Sequence, residues 1–241
     1  MKKTLKISLW GVVIFLFLII IVAAVYLINF LKATKAMTPA ETGIINDTVW
    51  CIKDKFVNSY IFKGEQSYLM IDAGIGEKTF KREMDKIGIS PDKITKIFLT
   101  HTDGDHIGAI GLFKNAVIYM HKNEEQMING TNGKTKYSKP IWKFGRYSLL
   151  DSNDSLVTDG LKIKILYTPG HTPGSSCYLV GNYYFLTGDN LTLTNDKYDH
   201  FVEKFNMNTP QQIESLKLLP DPESFKYVLT AHHGAIKIGD Q

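Results

Sequence analysis

The chain has 241 residues, 44% hydrophobic and 22% charged, with a formal net charge of +4. That length accommodates one domain of ordinary size and an appendage. Residues 1–35 hold five lysines and no acids. The remainder therefore has 23 basic against 24 acidic residues, a net charge of −1 that excludes a strongly basic nucleic-acid platform.

In chain order, the first element is an uncharged run at residues 7–31 whose only clearly polar side chains are Ser8 and Asn29. At about 1.5 Å per residue it makes a helix of roughly 37 Å, longer than the ~30 Å hydrocarbon core. Trp10 and Tyr26 lie towards its ends, where amphipathic rings suit the headgroup region. A cleaved signal peptide is the alternative. Its apolar part normally spans about 7–15 residues before a small-x-small site, and Ala33-Thr34-Lys35-Ala36 matches that pattern poorly. Lys2, Lys3 and Lys6 with the amino terminus outweigh Lys32 and Lys35, which favours an inside N-terminus. The expected organisation is a cytoplasmic N-terminus at 1–6, a single-pass transmembrane anchor at 7–31, a linker at 32–43 and a domain at 44–241 on the outer face of the cell membrane.

Within the domain, short runs rich in β-branched and aromatic residues predict strands over 48–52, 56–62 and 67–71, with Lys63-Gly64-Glu65 as a turn. Phe80, Met84 and Ile87 have helical spacing over 77–87, and Gly88 ends that helix. A buried strand is expected at 94–99, a short helix at 107–113, a strand at 117–120 and another helix at 123–128. Residues 129–147, rich in Gly, Lys, Thr and Tyr, read as a surface excursion or lid. Strands follow at 162–167, 176–180, 183–186 and 227–230. Thr209-Pro210 reads as cap and first position of a helix running to about Leu219. Strands interrupted by helices predict an α/β sandwich of two packed sheets with helices outside. Cys51 and Cys177 lie in strand-like company and read as buried free thiols.

The strand at 94–99 leads into Thr100-His101-Thr102-Asp103-Gly104-Asp105-His106. Four metal-ligating side chains in six residues are hard to explain as packing, because buried charge is costly unless paired or metal-bound. Gly104 is expected to let the backbone fold back so that these side chains converge. A solvated polar loop is the alternative for this segment alone. Three more segments follow apolar strands: Thr168-Pro169-Gly170-His171-Thr172-Pro173-Gly174, Thr187-Gly188-Asp189-Asn190 and Thr230-Ala231-His232-His233-Gly234. Each places a His or Asp at a strand end beside Gly or Pro, and the four together point to a metal centre.

In these four segments the sequence resembles the metallo-β-lactamase superfamily, over nearly all of residues 44–241. Asn58-Ser59-Tyr60 and Ile71-Asp72-Ala73-Gly74 resemble further landmarks of that family. The resemblance implies its αββα sandwich, here preceded by the N-terminal transmembrane helix. It implies one metal on His101, Asp103 and His171, a second on Asp105, His106 and His232, and Asp189 bridging them. Asp105 would also orient the nucleophilic water. His232 is preferred to His233 as the first histidine after the strand, leaving His233 as its neighbour or a substrate contact. Asp72 would be a buried acid supporting the metal loop. The cofactors implied are two divalent ions, zinc in the first place. The implied activity is metal-dependent hydrolysis, a metal-bound hydroxide attacking a small ester, thioester or lactam-like carbonyl of a small-molecule substrate. No G-x-S-x-G elbow or phosphate-binding loop competes with that reading.

The family pattern H-x-H-x-D-H departs here at Asp103. A third carboxylate brings two divalent ions and a hydroxide near neutrality, which weakens the Lewis acid and favours manganese or iron. The variant also resembles bacterial members attached to DNA-uptake membrane proteins, so a phosphodiesterase or nuclease is the alternative, although the domain's charge makes a nucleic-acid partner unexpected. Residues 168–177 look more like glyoxalase II and related thioester hydrolases, and Asp189 argues against the lactamase subclasses with a cysteine ligand there. A non-catalytic, membrane-tethered metal-binding domain is the third reading. Substrate choice would rest on loops 129–147 and 191–206, where Tyr137, Trp142, Tyr198 and His200 could line a pocket or simply pack.

Overall fold

The structure, a computed structural model, describes residues 9–135, 140–194 and 197–238. The chain divides into two units, 1–37 and 38–241. The first contains helix α1 (Leu9–Lys35), apolar around its whole circumference and closed by Lys32 and Lys35. It is long and apolar enough to cross a membrane, a test that a signal sequence also passes.

The second unit is built on two sheets. Strands β1 (Gly43–Asn46), β2 (Val49–Asp54), β3 (Val57–Lys63), β4 (Tyr68–Ile71), β5 (Ile94–Phe98), β6 (Val117–His121) and β7 (Tyr147–Leu150) lie side by side in sequence order. From β4 to β7 the neighbours are parallel, the first of them joined by helix α2 (Glu77–Ile87). The second sheet comprises β8 (Ser155–Thr158), β9 (Leu161–Tyr167), β10 (Ser176–Val180) and β11 (Tyr184–Gly188), then, after the hairpin β12 (Leu191–Thr194) and β13 (Lys197–His200), β14 (Tyr227–Thr230) and β15 (Ala235–Lys237). Its order is β15-β14-β11-β10-β9-β8.

Side-chain alternation explains the layers. Tyr60, Phe62, Leu69, Ile71 and Phe98 point inward from the first sheet and meet Ile163, Ile165, Tyr178, Leu186 and Leu229 of the second. On the outer face of the first sheet, Ile61, Met70 and Ile97 pack on Phe80 and Met84 of α2. Outside the second sheet, Cys177, Phe185 and Val228 are covered by Leu216 and Leu219 at the end of α4 (Thr209–Leu216). The expected αββα sandwich is the observed architecture. Cys51 and Cys177 are free and buried, one inside the inter-sheet core and one outside it.

Several local expectations are corrected. The helix expected at 107–113 is instead α3 (Gly104–Ile107), which begins inside the His/Asp segment, followed by a separate 3-10 turn at Ile110–Leu112. It breaks because Gly108 N–H and Ala109 N–H donate to the carbonyls of Gly74 and Ala73 across the fold. Gly104 itself has open space where a Cβ would stand, so the helical turn, not glycine's freedom, makes the side chains converge. The element expected at 123–128 is a 3-10 helix, Lys122–Met127. The cap of α4 is Asn208, whose Oδ1 accepts from Gln211 N–H at 3.1 Å. Thr209 is occupied otherwise, its hydroxyl meeting Asn206 Nδ2 and the Glu203 carbonyl. That helix stops at Leu216, where three-residue hydrogen bonds to Leu218 and Leu219 tighten the last turn.

Candidate metal centre

Five of the strands named above end at one edge. After β4 comes Asp72, after β5 the segment 100–106, after β9 His171, after β11 Asp189 and after β14 His232. Asp103 is extended (φ −65°, ψ 152°) and opens α3, whose turn carries Asp105 and His106 to the same side. Gly188 has φ +52°, and a Cβ there would stand 2.6 Å from Thr100, so only glycine lets Asp189 approach the first segment this closely. The β11–β14 register also slips between Leu186 and Gly188 at this point.

Four imidazoles face inward, each held from behind through Nδ1. His106 Nδ1 donates to Asp72 Oδ2 at 2.9 Å, and His232 Nδ1 to the Phe56 carbonyl at 2.7 Å. Thr100 Oγ1 spends its proton on Asp72, so it accepts from His101 Nδ1 at 3.1 Å. Asn206 Nδ2 donates to Gln212 Oε1, which orients the amide so that its Oδ1 accepts from His171 Nδ1 at 3.0 Å. Each ring therefore presents Nε2 to the centre.

Asp189 divides its oxygens between the rings. Oδ1 lies 3.1 Å from His232 Nε2 and 3.2 Å from His106 Nε2, while Oδ2 lies 3.4 Å from His171 Nε2 and 3.9 Å from His101 Nε2. Asp105 Oδ2 flanks the first pair, 3.6 Å from His232 and 3.9 Å from His106. Asp103 Oδ2 flanks the second, 3.0 Å from His171 and 3.5 Å from His101.

Burial, then the charge of His106, pushes the His101 imidazole down to about 4. At His106 burial acts in the same sense but is outweighed by Asp189, Asp72 and Asp105, which push it well up; at His232 Asp189 and Asp105 likewise prevail over burial. Burial opposes ionisation of Asp189, yet the surrounding histidines hold it well below the carboxylate range, as His101 and His171 hold Asp103. His101 Nε2, His106 Nε2 and Asp189 Oδ1 are buried with no hydrogen-bond partner among the described residues. Unpartnered buried atoms among imidazoles and carboxylates are what a divalent ion would satisfy. Three groups of donors are close enough to share one: His101, Asp103 and His171; His101, His106 and Asp189; Asp105, His106 and His232. The residues fit a metal centre.

His232 Nε2 faces Asp189 and Asp105, whereas His233 lies half-buried beside it, its backbone N–H donating to Thr230 Oγ1. Trp142 packs against Phe144 and Tyr147, Tyr198 joins the outer core of the second sheet, and His200 pairs with Asp199 and Glu203. Tyr137 lies outside the described residues.

Sequence reasoning missed the supports. Glu124 is fully buried under the centre: Oε1 accepts from Thr102 N–H and Oγ1 at 2.8 and 2.7 Å, and Oε2 from Thr172 Oγ1 and Gly174 N–H at 2.6 and 3.0 Å. It ties the 100–106 segment to the His171 loop. Burial raises its carboxyl, and the hydroxyls of Thr172 and Thr102 offset part of that rise. Phe201 is buried with its ring 5.3 Å from that of His171 and 5.4 Å from that of His232. Lys134 reaches Asp103 Oδ2 at 2.8 Å. These residues lie far from the motifs in sequence, and an acid in a polar turn or a lysine in a loop carries no periodic or spacing signal.

A family model described as the metallo-beta-lactamase superfamily matches residues 52–232. Among curated proteins, the chain is 23% identical to N-acyl homoserine lactonase AiiA of Bacillus thuringiensis subsp. kurstaki over 169 residues, 59% of this chain and 61% of that protein. It is 28% identical to the probable metallo-hydrolase YqgX of Bacillus subtilis over 134 residues, 51% of this chain and 60% of that one. The chain thus spans about three fifths of these relatives. Among solved structures, a Cronobacter sakazakii metallo-beta-lactamase with a HARLDQ motif superposes with a TM-score of 0.62 at 20% identity, covering 83% of this chain and 81% of that one.

Proposed function

The chain belongs to the metallo-beta-lactamase superfamily, and on that premise we propose that it is a metal-dependent hydrolase of a small ester, thioester or lactam-like carbonyl. The observation that carries this is the division of the Asp189 carboxylate, one oxygen toward His106 and His232 and the other toward His101 and His171. In this reading His101, Asp103 and His171 would hold one cation, Asp105, His106 and His232 another, and Asp189 both. Divalent ions held there, zinc or, with three carboxylates present, manganese or iron, would polarise a carbonyl and acidify nearby water.

The chain's own residues do the rest. Asp72, Thr100, Asn206 and the Phe56 carbonyl lock the four rings with Nε2 inward. Asp105, a quarter exposed, orients the attacking water and receives its proton. Phe201 and Phe56 shield His232 from bulk water on two sides. The lactonase relatives support an ester carbonyl as substrate. A net charge of −1 beyond residue 35 disfavours a nucleic acid. Residues 7–31 serve as a membrane anchor, with the 44–241 domain on the outer face.

The test uses the full chain in detergent micelles against lactone, aryl ester, thioester, lactam and phosphodiester reporters, with and without chelator. Chelator-sensitive cleavage of a carbonyl substrate is expected. Cleavage of the phosphodiester alone, or bound metal with no turnover of any reporter, overturns the reading.

A further inference from the structure

Lys134 comes from the 129–147 excursion, and its partly exposed side chain brings its ammonium against the Asp103 and His171 side of the centre. It is 2.8 Å from Asp103 Oδ2, 3.1 Å from His171 Nε2, 2.8 Å from the Phe205 carbonyl and 3.4 Å from the His171 carbonyl. An ammonium has three protons and no lone pair, so any of these atoms that it bonds must accept. His171 can do so, because its Nδ1 proton is committed to Asn206 Oδ1 and its Nε2 therefore carries a lone pair. Asp103 Oδ2 and His171 Nε2 stand only 3.0 Å apart, and the Lys134 ammonium lies against both. The other half of the centre has no counterpart: among the described residues, the ion pairs of Asp105 and Asp189 are all with histidines.

We infer that Lys134 is a built-in cation contesting the first metal position, so that the chain holds one divalent ion firmly, on Asp105, His106, His232 and Asp189, and admits a second only by displacing Lys134. The inference rests on reading this cluster as a metal centre. Its physical basis is charge and space: an ammonium and a divalent ion cannot both sit against the same carboxylate oxygen, since they repel at contact distance. It also gives Asp103 a partner. A carboxylate forms a strong, charge-assisted bond with an ammonium, which an imidazole at that position could not. The unusual acid of the motif and the lysine from a distant loop therefore belong to one device.

The experiment counts ions. The full chain in detergent is stripped with chelator and dialysed against buffered free Zn(II) or Mn(II); bound metal is measured by mass spectrometry and each dissociation constant by calorimetry. The wild-type chain should hold one ion across a range of free metal in which Lys134→Met and Lys134→Gln hold two. The second dissociation constant should tighten by about 10- to 100-fold in both variants, the scale of a lost charged hydrogen-bond network. Two ions binding the wild type within threefold of each other would overturn the inference without any variant. So would folded variants that stop at one ion. No bound ion in any form would overturn the metal-centre reading itself, and this inference with it.

Discussion

Asp72 grips His106 from behind. Its Oδ2 accepts from His106 Nδ1 at 2.9 Å and from Thr100 Oγ1 at 2.8 Å, while Oδ1 accepts from Thr100 N–H at 2.8 Å. Asp72 does this from a left-handed backbone conformation, φ +58°, that few side chains other than Asn, Asp and Gly adopt readily. One carboxylate thus sets the tautomer of His106 and, through Thr100, that of His101.

Asp72→Ala should therefore act in two ways. Two buried donors of Thr100 lose their acceptor, a cost of about 2–4 kcal/mol, and metal affinity should fall by about 10- to 100-fold. Asp72→Asn tolerates the same φ but cannot accept through both former oxygens, so it should retain more stability than Ala while losing comparable metal affinity. Denaturant titration and metal competition separate the two effects; wild-type affinity in both variants would remove Asp72 from the centre's support.

Glu124→Gln replaces one of two acceptor oxygens with an amide that meets donors. Thermal and denaturant unfolding should register a loss of about 2–4 kcal/mol. Because Glu124 joins the 100–106 segment to the 171–176 loop, carbonyl-ester turnover should also fall with KM little changed. A loss of stability with full kcat would make Glu124 structural only.

Asp103→His exchanges a carboxylate for an imidazole and removes the partner of Lys134. Zinc affinity, read by competition with a chromophoric chelator, should rise, and the preference for manganese should fall. Unchanged competition curves for both metals would contradict this.

Metal removal should destabilise the domain. Buried His101 Nε2, His106 Nε2 and Asp189 Oδ1 have no hydrogen-bond partner among the described residues, and an ion present at a hundred times its dissociation constant stabilises by about 2.7 kcal/mol. For a domain of this size that corresponds to a Tm roughly 5–10 °C higher than with chelator. Equal Tm values in scanning calorimetry would argue against tight binding.

The thiols should be inert. Burial pushes both Cys51 and Cys177 up to about 12, so neither is a thiolate at neutral pH. A thiol reagent should label neither in the folded chain and both in denaturant. Labelling of the native chain would mean that one of the two layers opens readily.

The candidate ligand segments were legible in the sequence because each follows an apolar run and includes a Gly, as those holding His101, His171, Asp189 and His232 all do. The strands 94–98, 176–180 and 227–230 were equally plain, since central strands are apolar on both faces. The edge and short strands β1, β7, β8 and β15 were not. Their pairing comes from neighbours, and their alternation is too brief to stand out.

What the sequence by itself determined about the 101–106 segment is its inventory: two histidines and two aspartates at fixed separations. What only the tertiary structure decided is how those groups are shared out. Asp189 splits its oxygens between two pairs of rings, Asp72 and Glu124 brace the loops from below, and Lys134 arrives from thirty-one residues downstream to stand against Asp103. The reason is geometric. Local spacing fixes which side chains leave a strand end together, but a cation's position depends on atoms from several strands and loops, and only packed sheets bring those within 4 Å of one another.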